Sequence, residues 1–241
     1  MLNEARPVVN VELRRTAEGL FEFHYSVENA PDARNPIGRF NLALEPDDPH
    51  FDLRQHEPEA RGWGGVRDIT TRPRIAVQVA LPGAPNGAYG GWSHWTNFIY
   101  PGQKLSGLVL VASYRPGFTT GYIGSGQHWD LDMELPIEIW DQLGFLNLPE
   151  WREQHVLTIG PRYPPTTAPS AIASEFLTGI EQWISSRRLE ADSPFVAAAR
   201  SALERWRRNP NESFEVPRNA RTAAERELET ALRFTLGNSK E

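Results

Sequence analysis

The sequence predicts a mainly β protein with an α-helical end: an antiparallel β-sandwich over 1–160, a Pro-rich linker over 161–169 and a three-helix C-terminal subdomain over 170–238. Three observations predict it. Before residue 170, short stretches alternate apolar and polar residues with the period of two that a half-buried strand requires. The Gly and Pro residues, 19 and 20 of 241, concentrate in the same part and separate those stretches. After residue 170, apolar residues recur at the three-to-four spacing of one helix face.

The first hairpin is the clearest element. Val9, Val11 and Leu13 alternate with Asn10, Glu12 and Arg14, and Thr16-Ala17-Glu18-Gly19 supplies a turn. Phe21, Phe23, Tyr25 and Val27 then alternate with Glu22, His24, Ser26 and Glu28. Further strands are predicted over 38–45 (Phe40, Leu42 and Leu44 inward), 74–80 (Ile75, Val77 and Val79 inward), 104–114, 128–135 and 153–159. Leu108-Val109-Leu110-Val111-Ala112 is apolar on both faces, which predicts a central strand or one covered by the helices. Many short strands with Gly/Pro loops favour a sandwich, with a barrel as the alternative. Gly160-Pro161-Arg162-Tyr163-Pro164-Pro165 reads as a hinge, because Pro-rich backbone is extended and cannot continue a helix.

Three helices follow. Ile172, Phe176, Ile180, Trp183 and Ile184 share one face of the first. Ser193 can cap the second, with Pro194 at its first position. Val196, Ala199, Leu203 and Trp206 line that helix, and Asn209-Pro210 stops it. Thr222 and Glu225 have capping-box spacing before the stripe Ala224, Leu228, Ala231 and Leu232, and Gly237 is an end signal.

Composition excludes several chemistries. The chain has no Cys, so disulfide frameworks, thiolate metal sites and thiol nucleophiles are ruled out. The net charge of −6 lies before residue 165, which argues against nucleic acid as a partner through bulk charge. No apolar run is long enough for a spanning helix. The opening MLNEARPVVNVEL has neither a basic start nor an apolar stretch. The expectation is therefore a cytoplasmic site, or an extracellular or periplasmic one if a signal peptide was removed.

Candidate chemistry lies in a few places. In a strand over 128–135, His128, Asp130, Asp132 and Glu134 would share one face, and His128, Asp130 and Asp132 are candidate metal ligands. Same-face neighbours on a strand lie roughly 6.6 Å apart, too far for three in a row to converge on one ion. The commoner origin of this pattern is the solvated face of a half-buried strand. The six His (His24, His50, His56, His94, His128 and His155) form no HExxH or HxH pair, so hydrogen-bonded or surface roles are expected. Gly121-Tyr122-Ile123-Gly124-Ser125-Gly126 lacks the Lys and Ser/Thr of a phosphate loop and reads as a loop or hairpin turn. No GxSxG elbow or other nucleophile motif is present, so no catalytic residue and no cofactor are expected. Arg200, Arg205, Arg207 and Arg208, interrupted by Glu204, read as a solvated helix face.

The aromatic loops carry the strongest binding signal. Residues 86–100 read NGAYGGWSHWTNFIY, and Trp63 sits in Gly62-Trp63-Gly64-Gly65. Trp63, Tyr89, Trp92 and Trp95 are candidate ligand contacts, because flat rings among Gly, Ser and Asn offer large contact area at low entropic cost. The competing reading makes these Trp plugs at the open ends of the sandwich.

Tyr25-Ser26-Val27-Glu28-Asn29, Ile37-Gly38-Arg39-Phe40, Gly62-Trp63 and Pro101-Gly102-Gln103-Lys104-Leu105-Ser106-Gly107 occur in that order before the Gly/Pro exit at 160–165. In this the chain resembles a group of poorly characterised bacterial exported proteins with an immunoglobulin- or fibronectin-like β-sandwich and a helical C-terminal extension. The resemblance covers about 8–165. It implies a structural or binding role at an extracytoplasmic site and carries no catalytic residues. The expected function is thus non-enzymatic binding, adhesion or assembly, through a protein partner or self-association. The alternatives are a carbohydrate-binding module using the loop tryptophans, and a metal-dependent hydrolase.

Overall fold

The alternating segments of the first hairpin form β1 (Pro7–Arg15) and β2 (Phe21–Asn29), paired antiparallel from Pro7 opposite Asn29 to Arg15 opposite Phe21. Gly19 takes φ 86° in the turn, a region that Gly enters without a Cβ clash. Thr16 closes the turn: its carbonyl accepts from Gly19 N–H at 3.0 Å and its hydroxyl from Leu20 N–H at 3.1 Å. The computed structural model describes residues 4–44, 59–61, 65–68, 75–78, 99–125 and 154–237.

Among the described residues the remaining strands are β3 (Ile37–Leu44), β4 (Glu59–Arg61), β5 (Gly65–Asp68), β6 (Ile75–Gln78), β7 (Lys104–Ala112), β8 (Arg115–Ser125) and β9 (Gln154–Tyr163). Helices α1 (Pro169–Ser185), α2 (Pro194–Arg208) and α3 (Ala223–Leu236) follow. The class is mixed α and β, with antiparallel strands in two sheets. One sheet has the order β1-β2-β7-β4 and the other β5-β6-β3-β8-β9. Tyr25 of the first meets Phe40 of the second edge-on, with ring centroids 6.1 Å apart. One apolar core joins residues of both sheets and all three helices, from Val9 and Phe23 to Phe176, Leu203 and Leu232.

Several expectations change. Gly121 and Gly124 lie inside β8 and not in a turn. A Cβ at Gly121 would come within 2.9 Å of Phe40 and 3.0 Å of Val156, so this Gly answers a close approach across the sheet. β9 runs through Gly160, Pro161 and Arg162 to Tyr163, so the expected hinge begins inside a strand. The Pro run after it is held by the Arg115 guanidinium, which donates to the carbonyls of Pro164 at 3.3 Å and Thr167 at 3.5 Å. The doubly apolar β7 lies between β2 and β4. Among the described residues helix contacts concentrate on β1, β8 and β9, so of the two expectations for β7 the central position is the one seen. The predicted strand over 128–135 lies outside the described residues.

The edge strand β9 organises the helices. Pro161 can occupy it because the ladder does not need its missing N–H on the free side. Leu157, Ile159 and Pro161 alternate with residues laddered to β8, so their backbone groups face that free edge. Side chains occupy it: Trp183 Nε1–H of α1 donates to Leu157 O at 3.0 Å, and the Tyr25 hydroxyl of β2 donates to Ile159 O at 2.8 Å. Trp183 is fully buried and meets Phe118 of β8 edge-on, centroids 4.9 Å apart. Phe118 in turn lies directly on Gly179 of α1, where a Cβ would collide with the ring.

The helix caps match the sequence. The Ser193 hydroxyl accepts from Val196 N–H, and Thr222 and Glu225 form the capping box. Ser193 also donates to the Glu225 carboxylate, which joins the N-termini of α2 and α3. Trp206 is only half-buried; its ring packs edge-on against Phe214 and its N–H donates to Glu212 O at 3.2 Å.

Gly179→Ala should therefore destabilise the fold. Overpacking costs about 1–3 kcal/mol, against which about 1 kcal/mol of helix propensity is regained. Urea unfolding should show a lower midpoint for Gly179→Ala and no lowering for Thr178→Ala, an exposed residue on the same helix.

Candidate functional site

The candidate ligand contacts Trp63, Tyr89, Trp92 and Trp95 and the candidate metal ligands His128, Asp130 and Asp132 all lie outside the described residues. Their framework is described. Trp63 falls between β4 and β5, which belong to different sheets. The segment carrying Tyr89, Trp92 and Trp95 rejoins the described structure at Ile99.

Ile99 is fixed by a polar knot around Asn29, the last residue of β2. Asn29 continues the inward parity of Phe21, Phe23, Tyr25 and Val27 and is fully buried. A buried amide is tolerated only when its hydrogen bonds are made. The Asn29 carboxamide nitrogen donates to Asn35 O at 2.9 Å and Ile99 O at 3.1 Å, and its oxygen accepts from Arg6 N–H at 3.1 Å. Its backbone accepts from Gly102 N–H at 2.8 Å and donates to Gln103 O at 3.0 Å. Ile99 and Ile37 exchange two backbone hydrogen bonds of 2.9 Å. One side chain thus ties together the chain before β1, the loop before β3 and the segment leading into β7.

The two exposed large hydrophobic residues among those described lie at this same end: Val8, opposite Glu28, and Tyr100, next to Ile99. Tyr100 N–H donates to the Gln103 side chain at 3.1 Å, and Gln103 N–H returns to Tyr100 O at 2.9 Å. The turn holding Tyr100 is therefore braced on both sides.

A second buried polar position is Glu227 of α3. Its side chain is 3% exposed, and its Oε2 accepts from Arg188 Nη2 at 2.6 Å. The Arg188 guanidinium stacks on the Trp183 ring, 4.3 Å from its centroid. The carboxyl group lies toward the amides of Val11 on β1 and Ile159 on β9, and Oε1 closes no hydrogen bond. Burial pushes Glu227 up to about 7, against the pull of Arg188. Glu225 differs: burial opposes its charge, but the Ser193 hydroxyl and the amides of Thr222 and Arg221 hold it below the usual carboxylate range.

Other candidates resolve into ordinary contacts. His24 bonds Glu22 at 2.9 Å, and His155 meets the Tyr122 ring edge-on. Arg200 pairs with Glu181 at 2.6 Å and Arg207 with Glu204 at 2.8 Å on exposed helix surface. A groove between α1 and strands β8 and β9 is lined by Thr120, Ser174, Glu175, Thr178 and Gln182. In it the Ser174 and Thr178 hydroxyls donate to carbonyls of their own helix, and Glu175 pairs with Arg162. Among the described residues no three His, Asp or Glu side chains gather as a metal site, and no helix is long and apolar enough to cross a membrane.

Comparison with protein-family models, with curated proteins and with solved structures finds no match for the chain.

Sequence reasoning missed the roles of Asn29 and Glu227, although each leaves a signal. Asn29 is a polar residue at an inward strand position. Glu227 falls three residues after Ala224 and four before Ala231, within the apolar stripe of α3. Asn29→Ala should lower stability by about 2–4 kcal/mol, because it takes the acceptor from the Arg6 amide and a donor from the carbonyls of Asn35 and Ile99, of which Ile99 keeps its bond from Ile37 N–H. Asn29→Asp, which keeps the acceptor but loses both donors, should be no better at neutral pH. Urea unfolding of the two variants measures both effects.

Proposed function

We propose that this protein is a non-enzymatic binding module. Its two sheets form an immunoglobulin- or fibronectin-like sandwich, and the loops at the Asn29 end contact the ligand. The observation that carries the reading is the Asn29 knot. It rigidly braces the chain from Ile99 to Gln103, immediately after the segment that holds Tyr89, Trp92 and Trp95. Binding loops are effective when a rigid scaffold positions them, because less motion is lost on association. The exposed Tyr100 ring extends the aromatic character of the segment onto this braced turn.

A protein partner, including a second copy of the chain, is the first ligand class. Aromatic rings flanked by small polar residues suit such a surface and carry a disproportionate share of interface energy. A glycan is the second, favoured by the same flat rings. Sedimentation at increasing concentration tests self-association, and a glycan array tests the alternative.

For whichever ligand is found, Trp92→Ala and Trp95→Ala should each weaken binding tenfold or more and leave the melting temperature within about 2 °C of wild type. Loss of several degrees without an effect on binding would make these Trp internal plugs. Turnover of a substrate by the purified protein would overturn the non-enzymatic reading.

A further inference from the structure

The cluster around Glu227 lies apart from the Asn29 end and takes no part in the binding reading. It occupies the seam where β1, the edge of one sheet, runs beside β9, the edge of the other. Helix α3 covers this seam, with contacts to β1, β8 and β9. Its Glu227 presents a sealed carboxyl group to both edges at once. The Val11 amide faces it from β1 and the Ile159 amide from β9. The Tyr25 hydroxyl, whose own ionisation is opposed by burial and by the Glu227 charge, lies near it from β2. Arg188, in the segment after α1, is the one opposite charge paired with it among the described residues. Ser193 of α2 engages Glu225 instead.

We propose that α3 is a pH-sensitive latch: Glu227 holds the helix against the free edges of β1 and β9 more tightly as a neutral acid than as a carboxylate. The ionised form must keep a charge out of water on one Arg partner and the two facing strand amides, with no second cation paired to it among the described residues. The neutral form loses the ion pair but avoids the larger cost of sealing a charge. The Trp183 ring beneath Arg188 limits how far the guanidinium can move to improve the match.

The sign follows from linkage. Glu227 titrates at about 7 in the folded chain, above the ordinary value of 4.5. Its stabilisation is complete below the ordinary value, declines as pH rises towards the folded value and is flat above it. Glu225 acts in the opposite sense, since its depressed value makes its contribution vanish as pH falls through the acid range. The latch should therefore weaken between about pH 5 and 7.

The test is amide hydrogen exchange of the full chain from pH 5 to 8, corrected for intrinsic exchange, with α3 compared against β2. In the wild type, protection of α3 should fall by up to about tenfold per pH unit to pH 7 and then level off, while β2 changes less. Glu227→Gln, a neutral isostere, should keep α3 protection flat across the range. Arg188→Gln should extend the decline above pH 7, since the carboxyl then loses the Arg188 ion pair. A second measurement covers a Glu227→Gln chain that fails to fold: carbon NMR of the wild-type Glu227 side-chain carboxyl, where a midpoint above pH 6 supports the latch. A midpoint near 4.5, a flat wild-type profile, α3 and β2 falling in parallel, or the same decline in Glu227→Gln would each overturn it.

Discussion

The structure depends on satisfying the free backbone edges of β1 and β9. Among the described residues each strand has one ladder partner, β2 or β8, and so turns amides and carbonyls along its other side away from the ladder. The edges run beside each other but belong to separate sheets. Covering them for the sake of the core would strand their polar groups, and each orphan costs about 1–3 kcal/mol. The chain answers group by group. Trp183 and Tyr25 take the Leu157 and Ile159 carbonyls, the Gln154 side chain donates to Ala5 O at 2.8 Å, and Pro161 has no N–H to satisfy.

That constraint sets much of the helical packing. Trp183 reaches Leu157 only if α1 approaches the sheet closely, and the Gly179 contact with Phe118 permits that approach. Arg188 follows directly on α1, stacks on the same Trp183 ring and meets Glu227 of α3. Ser193 and Glu225 then bind the starts of α2 and α3 to each other. The three helices are consequently linked by polar contacts as well as by their apolar faces. The Asn29 knot at the other site shows the same logic, with one buried side chain closing backbone groups that no strand ladder reaches.

Local signals made much of the fold legible. The first hairpin, the Ser193 cap, the Thr222–Glu225 capping box and the buried stripes of the helices follow from short-range patterns that the final packing leaves intact. Non-local requirements were not legible. Gly121 looks like turn punctuation, yet its lack of a side chain answers Phe40 and Val156, residues far away in the chain. Gly160-Pro161 looks like a break, yet an edge strand tolerates it because only one side of its backbone is laddered. Asn29 and Glu227 break otherwise apolar patterns, which shows where they sit but not what they bond. The loop tryptophans lie outside the described residues, and the bracing of Ile99 and Tyr100 required knowing which strand ends meet.

The Glu227 contact also joins the two extremes of the described chain. Val11 is synthesised 216 residues before Glu227. At translation rates of about 5–20 residues per second, roughly 10–40 s separate their appearance. Throughout that interval β1 has no α3 to cover it, and β9 gains its cover only as the helices emerge. Completion of the seam therefore trails the synthesis of β1 by that interval, and a ribosome that stalls within α3 would leave two neighbouring strand edges open to other chains.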